Sequence, residues 1–145
     1  MRIIYVEDNI LLRTVVTEEL RDLGYEVEEI DDCTSGLEAI RTSPPAFDAL
    51  ITDIETPGGL DGWQLGEMAR LHAPGLPVIY ATGSSLDKAR PVPDGMIVRK
   101  PFTTASIAQC LGHIPERAIQ TYQGCEWASR AGQASAMEAF RYGWA

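Results

Sequence analysis

Several things are scarce in this chain of 145 residues. No apolar run approaches the ~20 residues that a membrane-spanning helix needs. The longest, such as Ala49 to Ile51 or Pro77 to Ala81, are far shorter. The N-terminus, Met-Arg-Ile-Ile-Tyr-Val-Glu-Asp, meets two acids before a signal-peptide core could form, so the expected location is the cytoplasm, away from any membrane. Positive charge is short: 12 Lys and Arg stand against 21 Asp and Glu, a net charge of −9, which argues against electrostatic capture of nucleic acid. Cysteine is limited to Cys33, Cys110 and Cys125, with no C-x-x-C, and the three are expected to stay reduced. His72 and His113 do not combine with them at any usual zinc spacing, and both are read as surface residues. No G-x-x-x-x-G-K loop is present, which removes a P-loop nucleotide enzyme. There is no internal repeat, low-complexity stretch, helix-turn-helix or basic patch, so direct transcription control is not expected.

What is present is a normal core for one domain, 45% hydrophobic and 23% charged. The charge is uneven. All of the −9 lies in residues 1–114, while residues 115–145 are neutral and hold five of the eleven aromatics: Tyr122, Trp127, Phe140, Tyr142 and Trp144. The shift marks a boundary near Pro115, separating a domain over 1–114 from a C-terminal extension over 115–145. The extension is too short for an independent effector domain. Helices are expected from Pro115 to Tyr122 and from Ala134 to Tyr142.

Short apolar strands alternate with helical periodicity along the rest. Strands are expected at Arg2–Val6, Tyr25–Ile30, Ala49–Thr52, Pro77–Ala81 and Met96–Val98. Between them, Asn9 caps a helix stopped by Gly24, Thr34 caps one reaching Arg41, and Asp61 caps one reaching His72. Thr104 to Leu111 fits a last helix. Strands that are apolar on both faces and separated by helices imply a parallel sheet covered on both sides. Ligands of such folds sit beyond the carboxyl ends of the strands.

The chemically distinctive residues fall at those ends: Glu7 and Asp8 after the first strand, Asp53 after the third, Thr82 after the fourth and Lys100 after the fifth. Three converging carboxylates repel one another and persist with a cation between them. An all-oxygen set with few ligands suits Mg²⁺, which keeps several waters. The Thr82 hydroxyl and the Lys100 ammonium are suited to holding phosphoryl oxygens, and Asp53 to serving as nucleophile that forms an aspartyl phosphate.

With Val6-Glu7-Asp8-Asn9, Ile51-Thr52-Asp53, Pro57 with Asp61-Gly62, Ala81-Thr82-Gly83 and Lys100-Pro101-Phe102, each at an expected strand end, residues 1–114 resemble the receiver domain of two-component response regulators. The resemblance implies a flavodoxin-like fold, α/β, with a five-stranded parallel sheet in the order 2-1-3-4-5. It implies Asp53 as phosphoacceptor, Thr82 and Lys100 as the groups gripping the phosphoryl oxygens, and a cis bond before Pro101. It implies Mg²⁺ held by Asp53, by Asp8 directly, by Glu7 through water and by the backbone carbonyl of Glu55. The implied donor is a phosphohistidine on a histidine kinase or histidine phosphotransfer protein. The implied role is a single-domain regulator that relays the group or signals by protein contact, catalysing only its own phosphorylation and dephosphorylation.

Three features depart from the commonest receivers. Asp61 lies eight residues after Asp53, where seven is more usual. Ile97 occupies the place of an aromatic switch residue, three before Lys100. Seventeen residues, including Pro91 and Pro93, separate Thr82 from Lys100, so the fourth helix is short, over Ser85 to Ala89, or absent. These departures are similar to a single-domain subfamily with a fourth strand close to P-F-x-F-A-T-G; here it reads Pro77-Val78-Ile79-Tyr80-Ala81-Thr82-Gly83. Tyr80 is read as a packed strand residue. Glu55 is expected to border the site mouth and to alter the lifetime of the aspartyl phosphate. The extension is expected to pack on the output face, with a homodimer or downstream-protein contact as the next reading. A phosphorylation-independent scaffold and an aspartyl-phosphate phosphohydrolase are the competing functions.

Overall fold

A computed structural model of the chain describes residues 1–42, 47–113 and the backbone of 125–127. The elements run β1 (Arg2–Val6), α1 (Ile10–Asp22), β2 (Glu26–Ile30), α2 (Cys33–Thr42), β3 (Ala49–Asp53), α3 (Gly62–His72), β4 (Val78–Thr82), β5 (Met96–Arg99), α4 (Thr104–His113) and β6 (Cys125–Trp127). The sheet order is β2-β1-β3-β4-β5-β6. The first five strands are parallel, as expected, with Val6 beside Thr52, Asp53 beside Ala81 and Thr82 beside Arg99.

The central strands β1, β3 and β4 are almost wholly buried because both faces are covered, whereas the edge strand β2 keeps exposed glutamates. Ile4, Val6, Leu50, Val78, Tyr80 and Ile97 face a cluster that includes Leu37, Trp63 and Leu65 of α2 and α3. Ile3, Tyr5, Ile51, Ile79 and Val98 face Val16 and Leu20 of α1 and Ile107 and Leu111 of α4. Alternate residues of each strand thus enter different cores.

The helix starts follow from local chemistry. The Asn9 side chain accepts from the amides of Leu11 and Leu12, both at 3.1 Å. Asp61 and Gln64 form a reciprocal capping box. At α2 the capping group is Asp32 rather than the expected Thr34: its carboxylate accepts from the Ser35 amide and hydroxyl, both at 2.8 Å. A carboxylate there satisfies an otherwise orphaned amide of the first turn.

Three further findings extend or correct the expectations. No helix forms between β4 and β5, so the fourth helix is absent rather than short. The extension contributes β6, which pairs antiparallel with β5, Ile97 opposite Glu126. This edge strand was not expected; the two helices expected in the extension lie outside the described residues. Cys33 is a free buried thiol, whereas Cys110 is disulfide-bonded, against the expectation of reduced cysteines. An odd count without C-x-x-C carries no information about which thiols meet in space. Among the described residues, no helix is long and apolar enough to cross a membrane.

Candidate functional site

The carboxyl ends of β1, β3, β4 and β5 converge. Glu7 continues β1 and is 1% exposed; Asp53 ends β3, also buried, and Asp8 is exposed above them. One carboxylate oxygen from each of these three lies within 4.8 Å of the other two. Two hydrogen bonds to the Glu7 backbone fix the first corner: its amide donates to the Ile30 carbonyl at 3.0 Å, and its carbonyl accepts from the Arg13 guanidinium at 2.8 Å. Gly62 sets the third corner. Its amide donates to the Ile54 carbonyl at 2.8 Å, and a Cβ there would collide with the Asp53 carbonyl oxygen. The start of α3 can therefore close over the end of β3 only with glycine at that position.

Lys100 enters from β5, where the Lys100–Pro101 bond is cis. Its Nζ lies 2.9 Å from Glu7 Oε2 and 3.2 Å from Asp53 Oδ2. Burial pushes the carboxyls of Glu7 and Asp53 above the usual carboxylate range, although Lys100 opposes this in both. Burial alone would lower Lys100; the hydrogen bond to Glu7 and the charges of Asp53 and Glu7 outweigh it and hold the ammonium up. The arrangement is an anionic pocket with one internal counter-ion and too little positive charge to neutralise it. Its oxygen-only donors fit a small divalent cation.

Thr82 is buried at the end of β4, and its hydroxyl oxygen accepts from the Ser84 amide at 3.0 Å. The Lys100 amide donates to the Thr82 carbonyl at 2.8 Å, which ties the two phosphoryl-gripping candidates together through the backbone. The Glu55 side chain stays outside the carboxylate cluster. It is exposed, and its Oε1 accepts from the Ser84 hydroxyl at 2.6 Å. Its amide lies 3.4 Å from Asp53 Oδ1. Ser84 is the neighbour that the sequence reading missed; a hydroxyl two residues past a strand-end threonine was the available signal. Asp61 is an N-cap, as read, and His72 is exposed.

The model for the response regulator receiver domain matches residues 3–111. The chain is 33% identical to Chemotaxis protein CheY-3 of Vibrio cholerae over 81% of its own length and 93% of that protein's. It is 30% identical to Sensor histidine kinase RcsC of Salmonella typhi over 83% of its length, but spans only 13% of that kinase. Among solved structures, a response regulator receiver protein from Sinorhizobium medicae superposes with a TM-score of 0.75 at 27% identity, covering 80% of this chain and 94% of that one. The receiver domain of a Pseudomonas aeruginosa sensor histidine kinase, solved with a magnesium ion coordinated in its active site cleft, superposes with a TM-score of 0.69 at 27% identity, covering 79% and 97%. With its parallel sheet, its strand-end acids and a family match over three quarters of its length, the chain belongs to the response regulator receiver domain family.

Proposed function

We propose that this chain is a single-domain response regulator that accepts a phosphoryl group on Asp53 from a phosphohistidine of a histidine kinase or histidine phosphotransfer protein. The carrying observation is the placement of Asp53 between two further carboxylates and Lys100 at the strand ends. An Asp53 carboxylate oxygen attacks phosphorus, the bond from phosphorus to the histidine nitrogen breaks, and the released imidazole keeps the electron pair and takes a proton. Asp8, Asp53, Glu7 through water and the Glu55 carbonyl would hold Mg²⁺, whose charge screens the acids and the phosphoryl oxygens. Lys100 shares its charge between Glu7 and Asp53 before transfer, so it is in reach of a phosphoryl group on either side of Asp53. Thr82 supplies a hydroxyl from the neighbouring strand. The chain catalyses only its own phosphorylation and dephosphorylation, and residues 1–114 carry both. The result passes on by relay or by protein contact, with residues 115–145 as an extension rather than an effector.

The donor needs a docking surface beside the site. Ile10, Leu11 and Val15 open α1 immediately after the acids and are 64, 77 and 52% exposed. An apolar patch at the rim of an anionic pocket suits a helical donor that must come close despite like charge. The proposal is tested by intact mass after incubation with acetyl phosphate, with and without Mg²⁺. A Mg²⁺-dependent phosphoryl adduct, lost in Asp53→Asn, is expected. Neither an adduct nor Mg²⁺ binding would leave a receiver-like scaffold instead.

A further inference from the structure

The connection between β4 and β5 lacks a helix, yet it is held at both ends by β4. At its start, the Ser84 amide donates to the Thr82 hydroxyl oxygen at 3.0 Å. At its end, the buried Val92 amide donates to the Tyr80 hydroxyl oxygen at 3.1 Å. Thr82 and Tyr80 are two residues apart on one strand, so their side chains share a face. The backbone of the segment from Ser84 to Val92 is thus hung at its two ends from side-chain oxygens of β4, while Ser84 also donates its hydroxyl to Glu55 and Arg90 forms exposed ion pairs with Asp61 and Glu67.

The two anchors differ in kind. Tyr80 is fully buried, its ring 4.6 Å from that of Trp63. It fills a slot cut by two glycines: a Cβ on Gly66 would collide with its hydroxyl, and one on Gly95 would lie 2.9 Å from its ring. Val92 in turn opens a turn over Val92–Gly95. The Gly95 amide donates to the Val92 carbonyl at 2.9 Å, Pro93 comes second and Asp94 has φ +65°. Both polar backbone groups of Val92 are thus used, and the turn leads straight into β5. The Thr82 anchor, by contrast, belongs to the phosphoryl-gripping machinery. A hydroxyl drawn toward a phosphoryl group on Asp53 turns away from the Ser84 amide.

We propose that the Tyr80 hydroxyl is a positioning group that keeps the Val92 end of this segment fixed while phosphorylation releases its Ser84 end. The change is then confined to residues 84–91 and stops short of β5. This rests on Asp53 being the phosphoacceptor. It gives the site an output route that needs no aromatic at Ile97, which is 1% exposed.

Amide hydrogen exchange by NMR on the full chain tests it, with Mg²⁺ alone and with Mg²⁺ plus beryllofluoride as phosphoryl mimic. The wild-type Ser84 amide is expected to exchange at least ~10-fold faster with beryllofluoride, while Val92 is unchanged. In Tyr80→Phe, Val92 is expected to exchange at least ~10-fold faster in both states, while the core amide of Ile51 keeps its wild-type rate. Beryllofluoride should then also perturb Met96. Val92 and Ser84 responding together in the wild type, or Val92 staying protected in Tyr80→Phe, would overturn the proposal. Absence of an acetyl phosphate adduct on Asp53 would instead overturn the proposed function and the release of Ser84. The Tyr80→Phe comparison with Mg²⁺ alone then still decides the clasp.

Discussion

The two crossovers flanking β4 solve one problem in different ways. From β3 to β4 the chain uses α3, a helix with a capping box and its own backbone hydrogen bonds. From β4 to β5 it uses no helix but a strap: buried Leu86 and Val92, turns at Leu86–Ala89 and Val92–Gly95, two hydrogen bonds to side chains of β4, the Ser84 hydroxyl on Glu55, and exposed ion pairs from Arg90 to Asp61 and Glu67. The first adds its own local hydrogen bonding to a buried face that includes Trp63, Leu65 and Ala69, whereas the second relies chiefly on tertiary contacts. A helix satisfies its amides whatever it packs on, whereas a strap is only as ordered as its anchors. The strap is thus the crossover able to respond to what happens at Thr82.

The sharpest way to break the first crossover is Gly62→Ala. The new methyl meets the Asp53 carbonyl oxygen, a backbone atom with no freedom to move aside. Urea unfolding should show a loss of about 3 kcal/mol, and Mg²⁺ affinity should fall with it because the end of β3 shifts. The matching cut in the strap is Leu86→Ala, which removes a buried side chain from the cluster around Trp63. It should lose about 2 kcal/mol, at the low end for a core leucine because a strap collapses more readily than a helix. Weaker again is Asp61→Ala, which removes the capping box: about 1 kcal/mol, read in the same way. A larger loss there than in Leu86→Ala would reverse the assignment of local and tertiary support.

The site adds a pH dependence of its own. Glu7 and Asp53 have carboxyls raised above their unfolded values, chiefly by burial. The folded state therefore binds more protons than the unfolded one between the ordinary and the raised values. Without metal, stability should fall as pH climbs through that window and level off above it. Asp53→Asn should shrink this slope and raise the melting temperature at neutral pH by a few degrees in metal-free buffer. An unchanged slope would mean that Lys100 already neutralises the pair.

The contrast between local and tertiary support also explains what was legible in the sequence. Strands and caps are local patterns: the Asn9 and Asp61 caps stand where they were read, and the strand bounds lie within one residue, with β3, β4 and β5 each running one residue further, to Asp53, Thr82 and Arg99. Asp32 displaced Thr34 as a cap because two residues only two positions apart could both serve, and only the helix start, at Cys33, decides. The missing fourth helix was half visible, since Pro91 and Pro93 forbid a long one, but nothing local says that Tyr80 takes its place. That role depends on Gly66, fourteen residues upstream on α3, leaving room for the hydroxyl. The strand β6 was hidden for the same reason: three residues pair with β5 only because that edge is open to them. At the site, Ser84 was missed because its two hydrogen bonds reach Thr82 and Glu55 from the strap.

The smallest expected effect is also the most local test of the strap's start. Glu55 holds a carboxylate at the site mouth, fixed by the Ser84 hydroxyl at 2.6 Å. Its charge repels an anionic donor through solvent, where one charge at several ångström contributes on the order of 0.5 kcal/mol. Glu55→Gln should therefore speed phosphorylation by acetyl phosphate about two- to threefold, and the gain should shrink as salt is added. The amide can still accept from Ser84, so stability should stay within about 0.5 kcal/mol of wild type. The lifetime of the aspartyl phosphate should change as well, since a carboxylate two residues past Asp53 alters the charge that an approaching water meets. Equal phosphorylation and dephosphorylation rates in the two proteins would remove Glu55 from the site and leave it as a tether for Ser84 alone.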